Sequence, residues 1–285
     1  PWPMYQHDAS HSGVSPGPSP LTNKILWTRY VGLASLTCVG GGSTGSPSGP
    51  AVFGLKVYVG MLDNKTYCLD EETGAVLWTF ETNGPIYGTP AVADGKVYIG
   101  STDSKLYCVD ADNGTLIWSY ATWGPVWGSP TVVGGRVYFG SFDSNMYCLD
   151  AVTGFKLWSY TTEWVVFTTP AVVDGKVFFG SWDMNVYCLD AASGSSIWNF
   201  TTDGRVRASP TVADGKVYIA TFYPGKTLYC LNAIDGSVMW RKGQEATMFS
   251  TPVVAAGKVY VTIFAYNYVR QFDAATGELG WTWAQ

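Results

Sequence analysis

Apolar and polar residues alternate with a period of two in short runs along this chain. In residues 89–120 the runs AVA, KVYIG, LYCVD and TLIWSY are separated by Asp94-Gly95, Thr102-Asp103-Ser104 and Asp110–Gly114. Asp-Gly favours a tight hairpin, because a type I′ turn needs a positive φ at both central positions. No helical spacing is present. The segment therefore predicts four antiparallel strands in a meander.

The same pattern recurs about every forty residues, which is typical of propeller blades. A tryptophan ends each copy, and a glycine precedes it by four positions, so every tryptophan is expected at one point of the outer strand. A lone four-stranded sheet cannot bury both faces, and we expect these residues to pack between blades. They are Trp78, Trp118, Trp158, Trp198, Trp240 and Trp281. The predicted fold is an all-β propeller of six four-stranded blades.

We predict one domain over residues 1–285. It would comprise a lead-in segment (1–23), an extra outer or closing strand (24–30) and repeats at about 31–78, 79–118, 119–158, 159–198, 199–240 and 241–283. Trp27 gives the chain seven outer strands for six sets of inner ones. The surplus strand could close the last blade, or it could mark a seventh blade lost by truncation. It could also pair with a neighbouring molecule, since a free strand edge invites pairing.

The composition argues against nucleic-acid binding and against a transmembrane helix. Charged residues make up only 14% of the chain and the net charge is −5. A nucleic-acid partner would need a basic stripe, and the sequence has none. No run of eighteen apolar residues occurs, so we expect no transmembrane helix. The chain opens on Pro1 without a visible signal peptide, so we interpret it as processed or cloned as a mature form. The low charge content favours an extracellular, cell-surface or periplasmic protein, or one that packs against neighbours.

One repeat carries a family resemblance. The stretch from Tyr147 through Asp150, Thr153 and Gly154 to Trp158 resembles the repeat of pyrroloquinoline quinone (PQQ)-type propellers. That family includes quinoprotein dehydrogenases and the assembly lipoprotein BamB. The sixth repeat departs from the pattern, with Arg270-Gln271-Phe272-Asp273 in place of Tyr-Cys-Leu-Asp. The resemblance implies the fold strongly and the activity weakly, because the family holds enzymes and non-enzymes.

The dehydrogenase branch of this resemblance implies PQQ, a calcium ion and a catalytic aspartate, often with adjacent cysteines. No adjacent cysteine pair exists here, and the aspartates recur in every blade, as turn-capping residues do. Five cysteines share one position, ten before each tryptophan, and are interpreted as small core residues: Cys68, Cys108, Cys148, Cys188 and Cys230. His7 and His11 are flanked by prolines, so a helical metal pair is not predicted. We expect no cofactor, no metal and no catalytic residue, with PQQ and calcium as the alternative.

A set of large side chains gives the best candidate for a ligand site. Each lies three residues before the proline that opens an inner strand, and together they would circle one mouth of the channel: Tyr87, Trp127, Phe167, Arg207 and Phe249. Aromatic rings with an arginine could hold a sugar, a quinone or a peptide side chain. The alternative is packing between blades. Trp123, Trp164 and Trp182 add rings that would suit an interface.

Three Asn-X-Thr triplets, at Asn64, Asn113 and Asn199, predict N-glycosylation sites if the protein is exported to a glycosylating compartment. The function we predict is a non-catalytic, exported scaffold that binds other proteins or copies of itself. A PQQ-dependent oxidoreductase and a carbohydrate-binding propeller are the alternatives.

Overall fold

A computed structural model describes residues 48–246, 248, 250–263 and 268–284. These residues form six four-stranded antiparallel sheets, each built from four consecutive strands. The predicted all-β fold with six blades is confirmed. The lead-in segment and the strand predicted at 24–30 lie outside the described residues.

Each blade begins with a short strand next to the equivalent strand of the following blade. These inner strands are β1 (Ala51–Phe53), β5 (Ala91–Ala93), β9 (Thr131–Val133), β13 (Ala171–Val173), β17 (Thr211–Ala213) and β21 (Val253–Ala255). The second strands are β2 (Lys56–Gly60), β6 (Lys96–Ser101), β10 (Arg136–Gly140), β14 (Lys176–Gly180), β18 (Lys216–Ala220) and β22 (Lys258–Ile263).

The third and fourth strands complete each meander. The third strands are β3 (Lys65–Asp70), β7 (Lys105–Asp110), β11 (Asn145–Asp150), β15 (Asn185–Asp190), β19 (Thr227–Asn232) and β23 (Tyr268–Asp273). The outer strands are β4 (Val76–Glu81), β8 (Leu116–Ala121), β12 (Lys156–Thr161), β16 (Ser196–Thr201), β20 (Val238–Gly243) and β24 (Leu279–Ala284).

The turns follow the local chemistry of the sequence. Asp94 and Gly95 both have positive φ values, 50° and 69°, as a type I′ turn requires. In the turn before β8, the Oδ1 atom of Asp110 accepts the backbone N–H groups of Asp112 and Asn113. Gly114 follows with φ of 74°. A Cβ atom there would lie 2.6 Å from Cε3 of Trp78 in the preceding blade, so this turn needs glycine for two reasons.

The outer-strand tryptophans join consecutive blades. The Nε1 atom of Trp78 donates a hydrogen bond to the carbonyl of Ala111 at 3.1 Å, and Trp158 makes the same bond to Ala191 at 3.1 Å. Trp118, Trp198 and Trp240 repeat the contact one blade further along in each case. Trp281 differs, because 43% of its surface is exposed against 8% for Trp78. Each hydrophobic core cluster accordingly spans two consecutive blades.

A ladder of hydroxyl groups links the loops that enter the inner strands. The backbone N–H of Thr89 donates to Oγ of Ser129 at 2.8 Å, and the N–H of Ser129 donates to Oγ1 of Thr169. The series continues from Thr169 to Ser209 and from Ser209 to Thr251. All five residues are buried. The ladder fixes where each inner-strand loop lies relative to the next. Within the described ranges no helix is long and apolar enough to cross a bilayer.

Candidate binding surface

The topology brings two sets of connections to one end of the blades. In a four-stranded meander, the turn between the second and third strands lies at the same end as the loop that leads into the next inner strand. The residues predicted from sequence to form a ligand site are in those loops. Tyr87, Trp127, Phe167 and Arg207 are all half-buried there, and Phe249 lies outside the described residues.

The structure brings these four side chains together as a row across consecutive blades. The rings of Tyr87 and Trp127 stack with centroids 4.4 Å apart and planes 11° apart. The Trp127 and Phe167 centroids are 5.6 Å apart, and the Arg207 guanidinium lies 5.0 Å over the Phe167 ring. The row therefore packs across blade boundaries while each member keeps part of its surface in solvent.

Two further rings, from turns between second and third strands, extend the row. Phe142 stacks on Trp127 at 5.1 Å, and Trp182 stacks on Phe167 at 6.1 Å. Phe142 was absent from the sequence-based set. Its signal was an aromatic ring at the position that Trp182 occupies in the next blade, where the first two blades carry Leu62 and Thr102.

Arg205 is the second arginine of this surface, and sequence reasoning missed it. Its guanidinium carbon lies 4.9 Å from the ring centroid of Trp164 and 5.3 Å from that of Trp182. Pro85, Pro125 and Val165 stand at the equivalent positions of other blades. We call these eight residues the aromatic–arginine cluster: Tyr87, Trp127, Phe142, Trp164, Phe167, Trp182, Arg205 and Arg207.

Two indoles at this surface are strongly exposed to solvent. Trp164, within the cluster, is 48% exposed, and Trp123, in the loop that leads to Trp127, is 95% exposed. The backbone of Trp123 is held by a hydrogen bond, because its N–H donates to Oδ2 of Asp143 at 2.9 Å. Large exposed indoles held on a rigid loop are typical of contact surfaces.

Two indole N–H groups of the cluster have no hydrogen-bond partner among the described residues. The Nε1 atoms of Trp127 and Trp182 are buried and have no acceptor in the part of the chain that the structure describes. Burial also lowers the pKa of the Arg207 guanidinium, since a charged group is less stable away from water.

The recurrent aspartates at this end hold the turns in place. Asp63, Asp103, Asp143 and Asp183 each accept the hydroxyl of the tyrosine four residues later, at 2.6–2.7 Å. Burial and the bond to Asp63 raise the pKa of Tyr67 to about 12. These carboxylates are engaged in structural hydrogen bonds, as their recurrence in successive blades suggested.

The five repeated cysteines are buried free thiols on the third strands. Burial raises the pKa of Cys108 and of Cys188 to about 12, and that of Cys68 to about 11. The thiolate is the nucleophilic form, so these side chains serve packing. Cys38, His7 and His11 lie outside the described residues.

The three predicted glycosylation sites differ in accessibility. The side chains of Asn113 and Asn199 are exposed, and Asn64 is half-buried with φ of 69°. The Oδ1 atom of Asn113 accepts the N–H of Thr115 at 2.9 Å. Modification of these residues stays a prediction.

Comparison with known families decides what kind of propeller this is. The model of a PQQ-repeat family described as outer membrane protein assembly factor BamB matches residues 19–122, 91–166, 163–226 and 222–285. The chain belongs to the BamB family of PQQ-repeat propellers. No curated protein matches this BamB-family chain.

Solved structures with the same fold include both branches of the PQQ-repeat class. BamB from Moraxella catarrhalis matches with a TM-score of 0.73 and 18% identity, over 85% of this chain and 76% of that one. The quinohemoprotein alcohol dehydrogenase ADHIIG from Pseudomonas putida HK5 matches with a TM-score of 0.69 and 16% identity. The match covers 82% of this chain and 58% of the dehydrogenase. At these identities the likeness is one of fold.

The quinoprotein branch implies PQQ and calcium, and the residues of this BamB-family chain can be tested against that donor set. Calcium is held by converging carboxylate and carbonyl oxygens. In the described ranges no three side chains among His, Cys, Asp and Glu converge on one point. The described residues thus offer no cluster of carboxylates on which to place calcium, and we derive no catalytic step through PQQ.

Proposed function

We propose that this BamB-family chain is a non-catalytic interaction or assembly module, and that it contacts its partner through the aromatic–arginine cluster. One observation carries the proposal: half-exposed rings and two arginines form a continuous row over four blades, bordered by the exposed Trp123. Interface cores are enriched in tryptophan, tyrosine, phenylalanine and arginine, which is the composition of this row. The partner would be another protein or a second copy of the chain.

The family supports this proposal in general terms. The matching family is described as an outer membrane protein assembly factor. By that analogy, and from its low charge content, we propose that the chain works outside the cytoplasm, in the periplasm or at the cell surface. Fractionation of producing cells tests this; recovery of the full-length chain from the cytosol alone would contradict it.

Site-specific photo-crosslinking tests the contact surface. A photoreactive phenylalanine analogue replaces Trp123 in one protein and Phe155 in a second, which is the matched control. Phe155 is exposed as well, but it lies at the opposite end of its blade, between the third and outer strands. In producing cells we expect a discrete adduct from position 123 and none from position 155. Equal adducts at both positions, or none at either, would contradict the proposed surface.

The oxidoreductase is the second candidate function, favoured by the structural match to the alcohol dehydrogenase. Titration of the purified protein with PQQ and calcium, followed by calorimetry, separates it from the scaffold. We expect no saturable, calcium-dependent heat. A glycan array tests the carbohydrate-binding alternative. That alternative is favoured if the wild-type protein binds a specific glycan and the Trp127→Ala variant, still folded, does not.

A further inference from the structure

Arg205 is the arginine of the cluster that is held by two indoles. Its guanidinium lies over the rings of both Trp164 and Trp182. Across the described residues it has no side-chain hydrogen bond and no ion pair, whereas Arg270 has both. It is half-buried, and none of its nitrogen atoms is among the buried unsatisfied ones. Its N–H groups therefore face solvent.

The two indoles fix this arginine in advance of any ligand. A guanidinium held over aromatic rings is stabilised through its face, which leaves the N–H groups in its plane available. Those N–H groups match the geometry of a carboxylate, to which arginine binds through two parallel hydrogen bonds. Because the aromatic contacts already restrict the side chain, less conformational entropy is lost when an anion binds.

The side chains around Arg205 favour a ligand that carries an apolar group beside its anionic group. Trp164 is 48% exposed and stands next to Arg205, while Phe167 and Arg207 continue the surface on one side. Glu163 and Asp183 lie beside the two indoles, but the Asp183 carboxylate already accepts hydrogen bonds from the Glu163 N–H and the Tyr187 hydroxyl. A partner segment that complements Arg205 carries negative charge between apolar side chains.

We infer that Arg205 is the recognition residue for an acidic peptide segment of the partner. The segment would place an Asp or Glu carboxylate, or a C-terminal carboxylate, on the guanidinium and flanking apolar side chains on Trp164 and Trp123. This inference rests on the proposed function and specifies the chemistry of the partner at the same surface.

A paired peptide array tests the chemistry directly. The probes are pentapeptides with Glu or Gln at the centre, flanked by Phe, Trp, Leu or Ala, and the same sequences with a free C-terminal carboxylate. We expect the wild-type protein to bind the best Glu peptides about tenfold more tightly than their Gln counterparts, a difference of the size that one charge-assisted pair gives. Arg205→Gln should abolish this preference, and Arg205→Lys should keep part of it. Arg241→Gln, which removes an exposed arginine from β20, should leave it unchanged.

The variants also need a folding control, because Arg205 contacts two indoles. Near-ultraviolet circular dichroism and melting temperature should match between Arg205→Lys and wild type. Equal binding of Glu and Gln peptides, or an unchanged Glu preference in Arg205→Gln, would overturn the inference. Binding of phosphatidylglycerol vesicles without any Glu preference would overturn it too, in favour of a membrane surface. A crosslink at position 123 combined with no Glu preference would keep the proposed function and reject the carboxylate.

Discussion

The rings of Tyr87 and Trp127 stack 4.4 Å apart, although they belong to loops that enter two different blades. Trp127 also contacts Phe142 and Phe167, so its ring packs against three other rings. Such a residue contributes to stability as well as to any contact surface, and the two contributions need separate measurements.

Trp127→Ala should lower the free energy of unfolding by about 2–4 kcal/mol, since a large half-buried ring is removed from its partners. Trp127→Phe, which keeps an aromatic ring, should lose less than half of that. Urea denaturation measures both. If the alanine variant unfolds at the wild-type midpoint, the ring does not hold the blades together and the stack is a surface feature.

The tryptophan hydrogen bond between blades predicts that substitution of Trp158 destabilises the protein more than substitution of Trp281. Trp158→Phe should cost about 1–3 kcal/mol, because it removes the bond to Ala191 and part of a buried ring. Trp281→Phe should cost much less, because that indole is 43% exposed. Chemical denaturation of the two variants side by side measures the difference. Similar losses at both positions would mean that Trp281 is covered in solution.

Alanine substitutions at Gly114 and Gly95 distinguish the cost of a steric clash from the cost of backbone strain. Both have φ near 70°, so alanine at either position costs about 1 kcal/mol for the left-handed conformation. At Gly95 an added Cβ meets nothing within 4 Å, whereas at Gly114 it would approach Trp78 to 2.6 Å. Gly114→Ala should therefore destabilise the protein by about 1–3 kcal/mol more than Gly95→Ala. Melting temperatures that coincide for the two variants would show that the Trp78 ring moves aside freely.

Asp273 predicts an acid-dependent loss of stability. The hydrogen bond from Lys258 Nζ, at 2.9 Å, together with bonds from Thr276 and Ala275 N–H, lowers the pKa of this carboxyl from its ordinary 3.8 to about 2. A carboxyl whose pKa is lower in the folded than in the unfolded protein stabilises the fold at pH values above the unfolded-state pKa. This contribution is lost as the pH falls from about 4 to about 2. Asp273→Asn should flatten that part of the stability curve relative to wild type. Lys258→Met should flatten it in part, and a curve identical to wild type in both variants would contradict the assignment.

The buried thiols predict slow alkylation. With the pKa of Cys148 and Cys188 raised to about 12, iodoacetamide at pH 8 should leave the five core cysteines unmodified in the folded protein. Denaturation in urea should make them reactive. Peptide mass spectrometry reads each site separately, and rapid native labelling of any of the five would show that its blade opens under these conditions.

The fold could be predicted from sequence because its signals are local. Alternation with period two, turns such as Asp94-Gly95 and the fixed offset from Gly114 to Trp118 each depend on a few neighbouring residues. The row Tyr87, Trp127 and Phe167 could also be proposed, since repetition places equivalent residues at equivalent points.

The remaining part of the site depends on side chains that break the repeat. Arg205 replaces the proline or valine of other blades, and Phe142 lies at a position that varies between Leu62, Thr102 and Trp182, so neither is part of the regular pattern. The contact of Phe142 with Phe167 and that of Arg205 with Trp164 join different blades, so they follow from how two sheets lie relative to each other. No spacing along the chain encodes that distance.

The hydroxyl ladder from Thr89 to Thr251 runs in one direction, with each backbone N–H donating to the side chain of the next blade. A blade with Ser or Thr at the ladder position accepts a bond on its hydroxyl from the preceding blade. Its backbone N–H donates to the hydroxyl of the following blade. The four boundaries are therefore joined by the same local bond, and each joint depends only on the two blades that it connects.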